Sequence, residues 1–309
     1  MLTNGTVKLT RTEIMGIEYH HARTSDGGDL YLTRFGLPFQ EQLLPENWRE
    51  KEWFLAHRQQ LRGTSTIYRT QTKPVGGPAL DMVVRYNRVG EELPVDTLTL
   101  EKFINAEFNS PFEEIAILNE LRQAHLSGSG RTIPTKRPLA VFVPPDLLQL
   151  WQTGRLESKI ARKLARYPET QLDIRRQYIV VYGWIDGLDA VQVADRLKLA
   201  GSEREAFLGE ATNHVTGELA AAGFRVLDMK PAHIILRLVR DNELLRRKDG
   251  KLLYALVDYE LLERINEKQT GTIIRQSCTK PTILNSSAWP DRKIIRPASA
   301  SSVVVNSRG

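Results

Sequence analysis

The chain has 309 residues, 41% of them hydrophobic and 26% charged, a globular composition that excludes collagen-like, disulfide-stapled and wholly disordered proteins. Its length suits two domains at about 150 residues each, no apolar run approaches the ~20 residues that span a bilayer, and its one cysteine, Cys278, permits no intrachain disulfide or four-cysteine zinc site. The net charge of +6 sits in the tail, where Lys268 to Gly309 carries seven bases and one acid, so the neutral body lacks the basic patch of a folded nucleic-acid binder.

Residues 1–60 read as an N-terminal extension. They open without the apolar stretch of a secretory signal, which makes the cytoplasm the expected compartment. DLYLTRF (29–35) alternates as a strand and breaks at Gly36-Leu37-Pro38. After Pro45, ENWREKEWFLAHRQQL predicts a helix with Trp48, Phe54 and Leu55 on one packing face. His20 and His21 are adjacent, so in a strand they point to opposite faces and do not share an ion.

From Gly63 the pattern changes. STIYRT and MVVRY read as strands separated by the turn PVGGPA. Leu100 to Leu126 contains a helix, with Phe112, Ile115, Leu118 and Leu121 recurring at threes. SGSGRT (127–132) is a connector and PLAVFVP a further strand; residues 146–176 are polar and helical. QYIVVYGWI (177–185) is the strongest strand in the chain. Helices follow around Asp189–Leu199 and through AFLGEATNHVTGELAAAGF, where Phe207, Ala211, Val215 and Leu219 repeat at i+4. There is no internal repeat.

Phe224 to Arg264 carries the chemistry. GFRVLDMKPAHIIL brings Asp228, Lys230 and His233 onto one short loop, and LLYALVDYELLE delivers Asp258 at the end of an apolar strand. An acid two residues before a lysine, a metal-ligand side chain three residues on and a second acid nearby are the parts of phosphoryl transfer. Its catalysis is mostly positioning and charge neutralisation.

DMKPAHII resembles the catalytic loop of eukaryotic-type protein kinases, and LVDYE resembles their DFG segment. The other pieces follow in order. GTSTIYRT is similar to the tail of the glycine-rich loop, MVVR ends in Arg85 where that family has lysine, and EIAILNEL resembles the αC helix. YGWIDG resembles the hinge between lobes. The resemblance covers about residues 60–265. It implies a two-lobed α+β fold: a small lobe of antiparallel sheet and one helix (61–183, with an insertion at 146–176), a short, mainly helical large lobe (184–267), and a basic tail (268–309).

As to roles, the resemblance implies that Asp228 and Lys230 are catalytic and that His233 and Asp258 hold the metal. Gly63, Arg85, Glu114, Tyr182 and Trp184 would contact the nucleotide, with Arg85 paired to Glu114. The implied cofactors are ATP with Mg²⁺ or Mn²⁺, and the implied reaction is phosphotransfer to a hydroxyl of a protein or small molecule. The alternative is a pseudokinase that keeps the fold without turnover. A nucleic-acid-binding reading rests on the tail alone.

The departures are specific. Only Gly63 remains of the glycine loop, Arg85 is a planar fork rather than a point charge, and Val226-Leu227 stand where that family has His-Arg. Tyr259-Glu260 replace Phe-Gly, and no A-P-E segment follows. His233 replaces the metal-binding asparagine. It either ligates a metal through nitrogen, a poor match to Mg²⁺, or hydrogen-bonds Asp228 or Asp258. Glu113 competes with Glu114 for the partnership with Arg85, and Asp258 has a second reading as a helix cap. The tail is either a minimal end to the large lobe or an irregular one.

Overall fold

Two apolar runs, Pro138–Val143 and Gln177–Gly183, are buried on both faces and form the middle of an eight-stranded antiparallel sheet. The computed structural model describes residues 8–61, 66–88, 109–124, 133–148, 165, 173, 175–239 and 243–265. Gly63, most of 146–176 and all of 268–309 lie outside the described residues. The sheet contains β1 (Thr10–Ile14), β2 (Ile17–Arg23), β3 (Asp29–Leu32), β4 (Gln59–Gln60), β5 (Thr66–Gln71), β6 (Asp81–Arg88), β7 (Pro138–Val143) and β8 (Gln177–Gly183). Their order is β1-β2-β3-β7-β8-β6-β5-β4.

Strand alternation sorts the core into two layers. Ala140 and Phe142 of β7, Ile179 and Val181 of β8, and Met82 and Val84 of β6 face one side, where Leu43, Trp48 and Phe54 cover them. Val141, Val143, Val180 and Tyr182 face the other side. There they meet α2 (Pro111–Gln123), which follows α1 (Lys51–His57) in the chain. Two further helices, α3 (Ala190–Arg196) and α4 (Gly201–Ala221), complete four α-helices among the described residues. In α4, Ala211, Val215 and Leu219 form the buried stripe. Two small sheets follow. One pairs β10 (Phe224–Val226) with β13 (Leu262–Arg264); the other joins β9 (Leu188–Asp189), β11 (Ile234–Leu236) and β12 (Tyr254–Leu256). The fold class is α+β with a large antiparallel sheet.

The first sixty residues are more than an appendage. β3 pairs with β7 in register from Asp29↔Val143 to Leu32↔Ala140, so the segment is part of the main sheet. The helix expected after Pro45 is also different. Pro45–Asn47 is a separate 3-10 turn, and α1 begins only where the Glu50 carboxylate accepts from the N–H groups of Glu52 and Trp53, both at 3.0 Å. Trp48 therefore lies outside α1, buried, with its Nε1 donating to the Leu43 carbonyl at 3.0 Å. Leu55, expected on the packing face, is 51% exposed: one residue beyond the buried Phe54, it is rotated about 100° away from that face.

Gly36 leaves no room for a side chain against β7. Its φ of −86° is ordinary, so the requirement is space: a Cβ would collide with the backbone carbonyl of Leu139 in β7. Backbone cannot rotate away as a side chain would. Gly36→Ala should therefore lower stability by about 1–3 kcal/mol, measured by urea unfolding. An unchanged midpoint would show that the segment is not locked to β7 at this point.

Candidate functional site

The site begins with the helix cap of α2. Ser110 and Glu113 form a reciprocal capping box, the Ser110 hydroxyl accepting from Glu113 N–H at 3.2 Å and the Glu113 carboxylate accepting from Ser110 N–H at 3.1 Å. This commits Glu113 to the helix start. Glu114 then falls on the same face as Ile117, Leu118 and Leu121 and has no exposed surface.

A buried carboxylate needs partners, and three elements supply them. Arg85 of β6 donates from Nη2 to Glu114 Oε2, and the Tyr182 hydroxyl of β8 donates to Oε1. Lys136, just before β7, brings its Nζ to 3.8 Å from Oε1. Strand register explains the meeting: Arg85 lies opposite Val180 and Val83 opposite Tyr182, which puts Arg85 and Tyr182 on the side of the sheet that α2 covers. Arg85 Nε also donates to Asn87 Oδ1 at 2.8 Å and lies 3.3 Å from Glu260 Oε1. Burial alone would disfavour the charged guanidinium, but Glu114 and Glu260 outweigh it and raise its pKa.

The second part of the site is a pair of loops clamped by the small sheets. β10 pairs with β13, β11 pairs with β12 in register Ile234↔Leu256, and Val257 N–H donates to the His233 carbonyl at 3.1 Å. Between these clamps Asp228, His233 and Asp258 converge, and one donor atom from each lies within 4.8 Å of the others. His233 Nε2 is 3.4 Å from Asp258 Oδ2, while its Nδ1 is buried without a hydrogen-bond partner. Lys230 is exposed and places Nζ 3.3 Å from Asp228 Oδ2. Burial pushes the Asp258 carboxyl up, but His233, Arg85 and Lys136 together hold its pKa below the ordinary value. Asp258 does not start a helix: its Oδ1 accepts from Glu260 N–H at 3.2 Å, within the turn that leads to β13.

Asp258–Glu260 joins the two parts, with Asp258 in the three-residue group and Glu260 against Arg85. The structure thus brings together Asp228, Lys230, His233 and Asp258, and separately Arg85, Glu114 and Tyr182. Tyr182 is fully buried and committed to Glu114, so its side chain presents no surface to a ligand. Trp184 is partly exposed, donating to Asp186 Oδ1 at 3.0 Å beneath the Arg69 guanidinium, 4.2 Å from its ring centroid. Lys136 and the pairing of Glu260 with Arg85 escape the sequence reading. A single lysine in the loop TKRP, with no periodicity around it, carries no local signal of burial.

Two oxygen donors and one nitrogen suit a divalent cation of the Mn²⁺ type, with Mg²⁺ less favoured by the imidazole. The imidazole nitrogen beside the acids is Nε2, 3.4 Å from Asp258 Oδ2. Among the described residues, no helix is long and apolar enough to cross a membrane.

No protein-family model matches the chain, and no curated protein matches it. Among solved structures, WaaP in complex with acyl carrier protein is similar, with 13% identity and a TM-score of 0.39 over 78% of this chain and 76% of that one.

Lys136 is 7% exposed, and its pKa falls to about 8 through burial and the neighbouring Arg85, partly offset by Glu114, Asp258 and Glu260. Between that value and the ordinary 10.5, the unfolded chain holds a proton that the folded chain has released. Stability from this residue therefore rises with pH across that window. Urea unfolding should show Lys136→Met gaining on wild type at pH 7 and losing that advantage by up to about 3 kcal/mol as the pH approaches 10. A pH-independent difference would contradict the charged, buried state of Lys136.

Proposed function

We propose that this chain is an ATP-dependent phosphotransferase acting on a hydroxyl acceptor, in a two-lobed kinase-like fold. The observation that carries the reading is the convergence of Asp228, His233 and Asp258 within 4.8 Å, beside a loop lysine and a buried arginine–carboxylate pair. An antiparallel sheet with one helix packed on its ion-pair face, followed by helices and short hairpins, supports the lobed arrangement.

Each residue then has a task. Asp228 orients the acceptor hydroxyl and takes up its proton as the oxygen attacks. Lys230 is exposed and swings from Asp228 to the transferring phosphoryl oxygens. Asp258 and His233 would hold the divalent cation, which when bound would neutralise phosphate charge. The cations gathered on Glu114 supply positive potential for the rest of the polyphosphate. Because the reaction needs little covalent help from the protein, this positioning accounts for most of the catalysis.

A nucleotide-binding module without turnover is the second reading, and one observation favours it. Arg85 is held by two carboxylates, Glu114 and Glu260, and is 2% exposed, which leaves it poorly placed to meet a phosphate.

Thermal-shift titration with ATP and Mg²⁺ or Mn²⁺, followed by a phosphate-release assay, tests both. Wild type should be stabilised by ATP only with a divalent cation. Asp258→Asn should abolish that stabilisation with an unchanged apo melting temperature. His233→Asn, which exchanges nitrogen for oxygen, should move the preference from Mn²⁺ towards Mg²⁺. Metal-dependent binding without phosphate release would leave the second reading, and no nucleotide-dependent shift would contradict both.

A further inference from the structure

We infer that Lys136, rather than Arg85, is the residue of the ion cluster that contacts the nucleotide's phosphates, and that Arg85 is a positioning residue that keeps Glu114 in place. The inference rests on the phosphotransferase reading and names its phosphate ligand.

Arg85 and Lys136 meet the same carboxylate but are held very differently. Arg85 is bound at Nη2 by Glu114 and at Nε by Asn87 and Glu260. Pulling it towards a ligand would break its contacts with two buried carboxylates. Lys136 Nζ stands 3.8 Å from Glu114 Oε1, beyond hydrogen-bonding distance, and rests on the faces of Tyr182 and Tyr259, 3.7 and 5.2 Å from their ring centroids. Glu114 keeps Arg85 and the Tyr182 hydroxyl when Lys136 leaves.

An ammonium is also the right shape for the exchange. It is a point charge with three rotatable donors on a flexible stem, whereas the guanidinium is a rigid fork already matched to a carboxylate. The aromatic faces hold the cation without directing its hydrogens, so the donors are ready for phosphate oxygens. Its contact with the Tyr259 ring, 5.2 Å from the centroid, places Lys136 beside the same loop that supplies Asp258. The lysine's lowered pKa of about 8 reflects a cation that its present partners do not fully satisfy, and a polyphosphate would satisfy it.

The test uses the full chain, with ATP and adenosine as probes in the presence of Mn²⁺. In Lys136→Met, ATP affinity should fall about tenfold or more, the loss of one charge-assisted hydrogen bond, with adenosine affinity unchanged. ATP binding within about twofold of wild type would overturn the inference while leaving the phosphotransferase reading standing. If wild type itself binds no ATP, both fall. A measurement without a variant covers the case of a misfolded protein. Reductive methylation of wild-type lysines, read by mass spectrometry, should be suppressed at Lys136 by ATP with Mn²⁺ but not by adenosine; equal labelling with and without ATP would overturn the inference.

Discussion

A carboxylate with no exposed surface stands at the junction of α2, β6 and β8, and the placement of these elements depends on how it is neutralised. Glu114 would be untenable alone in an apolar layer of Phe112, Ile115, Leu118 and Tyr182. Arg85 gives it a charged partner and Tyr182 a hydroxyl, while Lys136 adds a second cation at longer range. Such a cluster adds little net stability compared with a hydrophobic replacement, yet losing Arg85 or Glu114 alone leaves an uncompensated buried charge costing about 3–5 kcal/mol. In this docking of α2 on the sheet, Glu114 meets partners from β6, β8 and the loop before β7.

The same cluster ties scaffold to chemistry. Glu260 reaches Arg85 from the turn that also bears Asp258, so the loop ending the apolar strand β12 is anchored to the main sheet by charge. On its other side, Asp258 faces His233 and Asp228 across a gap set by the backbone pairing of β11 with β12 and of β10 with β13. Rigid elements thus fix both sides of a small acidic group. Arg85 and Lys136, the cations gathered on Glu114, also help to hold Asp258 in its charged form.

Local pattern made part of this legible. Short apolar runs identified the strands PLAVFVP and QYIVVYGWI, and spacing in α4 identified Ala211, Val215 and Leu219 as its buried stripe. The loop chemistry of Asp228, Lys230, His233 and Asp258 was visible as residue types at short spacing. The choice between Glu113 and Glu114 is written in the capping box that begins at Ser110, a local signal once the helix start is known. What stayed hidden depends on distant pairing. Nothing near Lys136 indicates that it will lie between two tyrosine rings, and nothing near Glu260 points to Arg85, 175 positions earlier in the chain. The role of the first sixty residues was obscured for the same reason, since β3 finds its partner β7 more than a hundred residues away. Leu55 misled because a seven-residue helix buries a single position, and that position is the adjacent Phe54.

The claim on which the rest depends is that Arg85 and Glu114 act as one buried unit. A double-mutant cycle with Arg85→Met, Glu114→Gln and the double variant, each followed by urea unfolding at neutral pH, measures that directly. The account predicts that each single change costs about 3–5 kcal/mol and that the double variant costs far less than their sum, with a coupling of about 2–3 kcal/mol. Losses that add to within about 0.5 kcal/mol would contradict it, because two independent residues cannot be the constraint that seats α2 on the sheet.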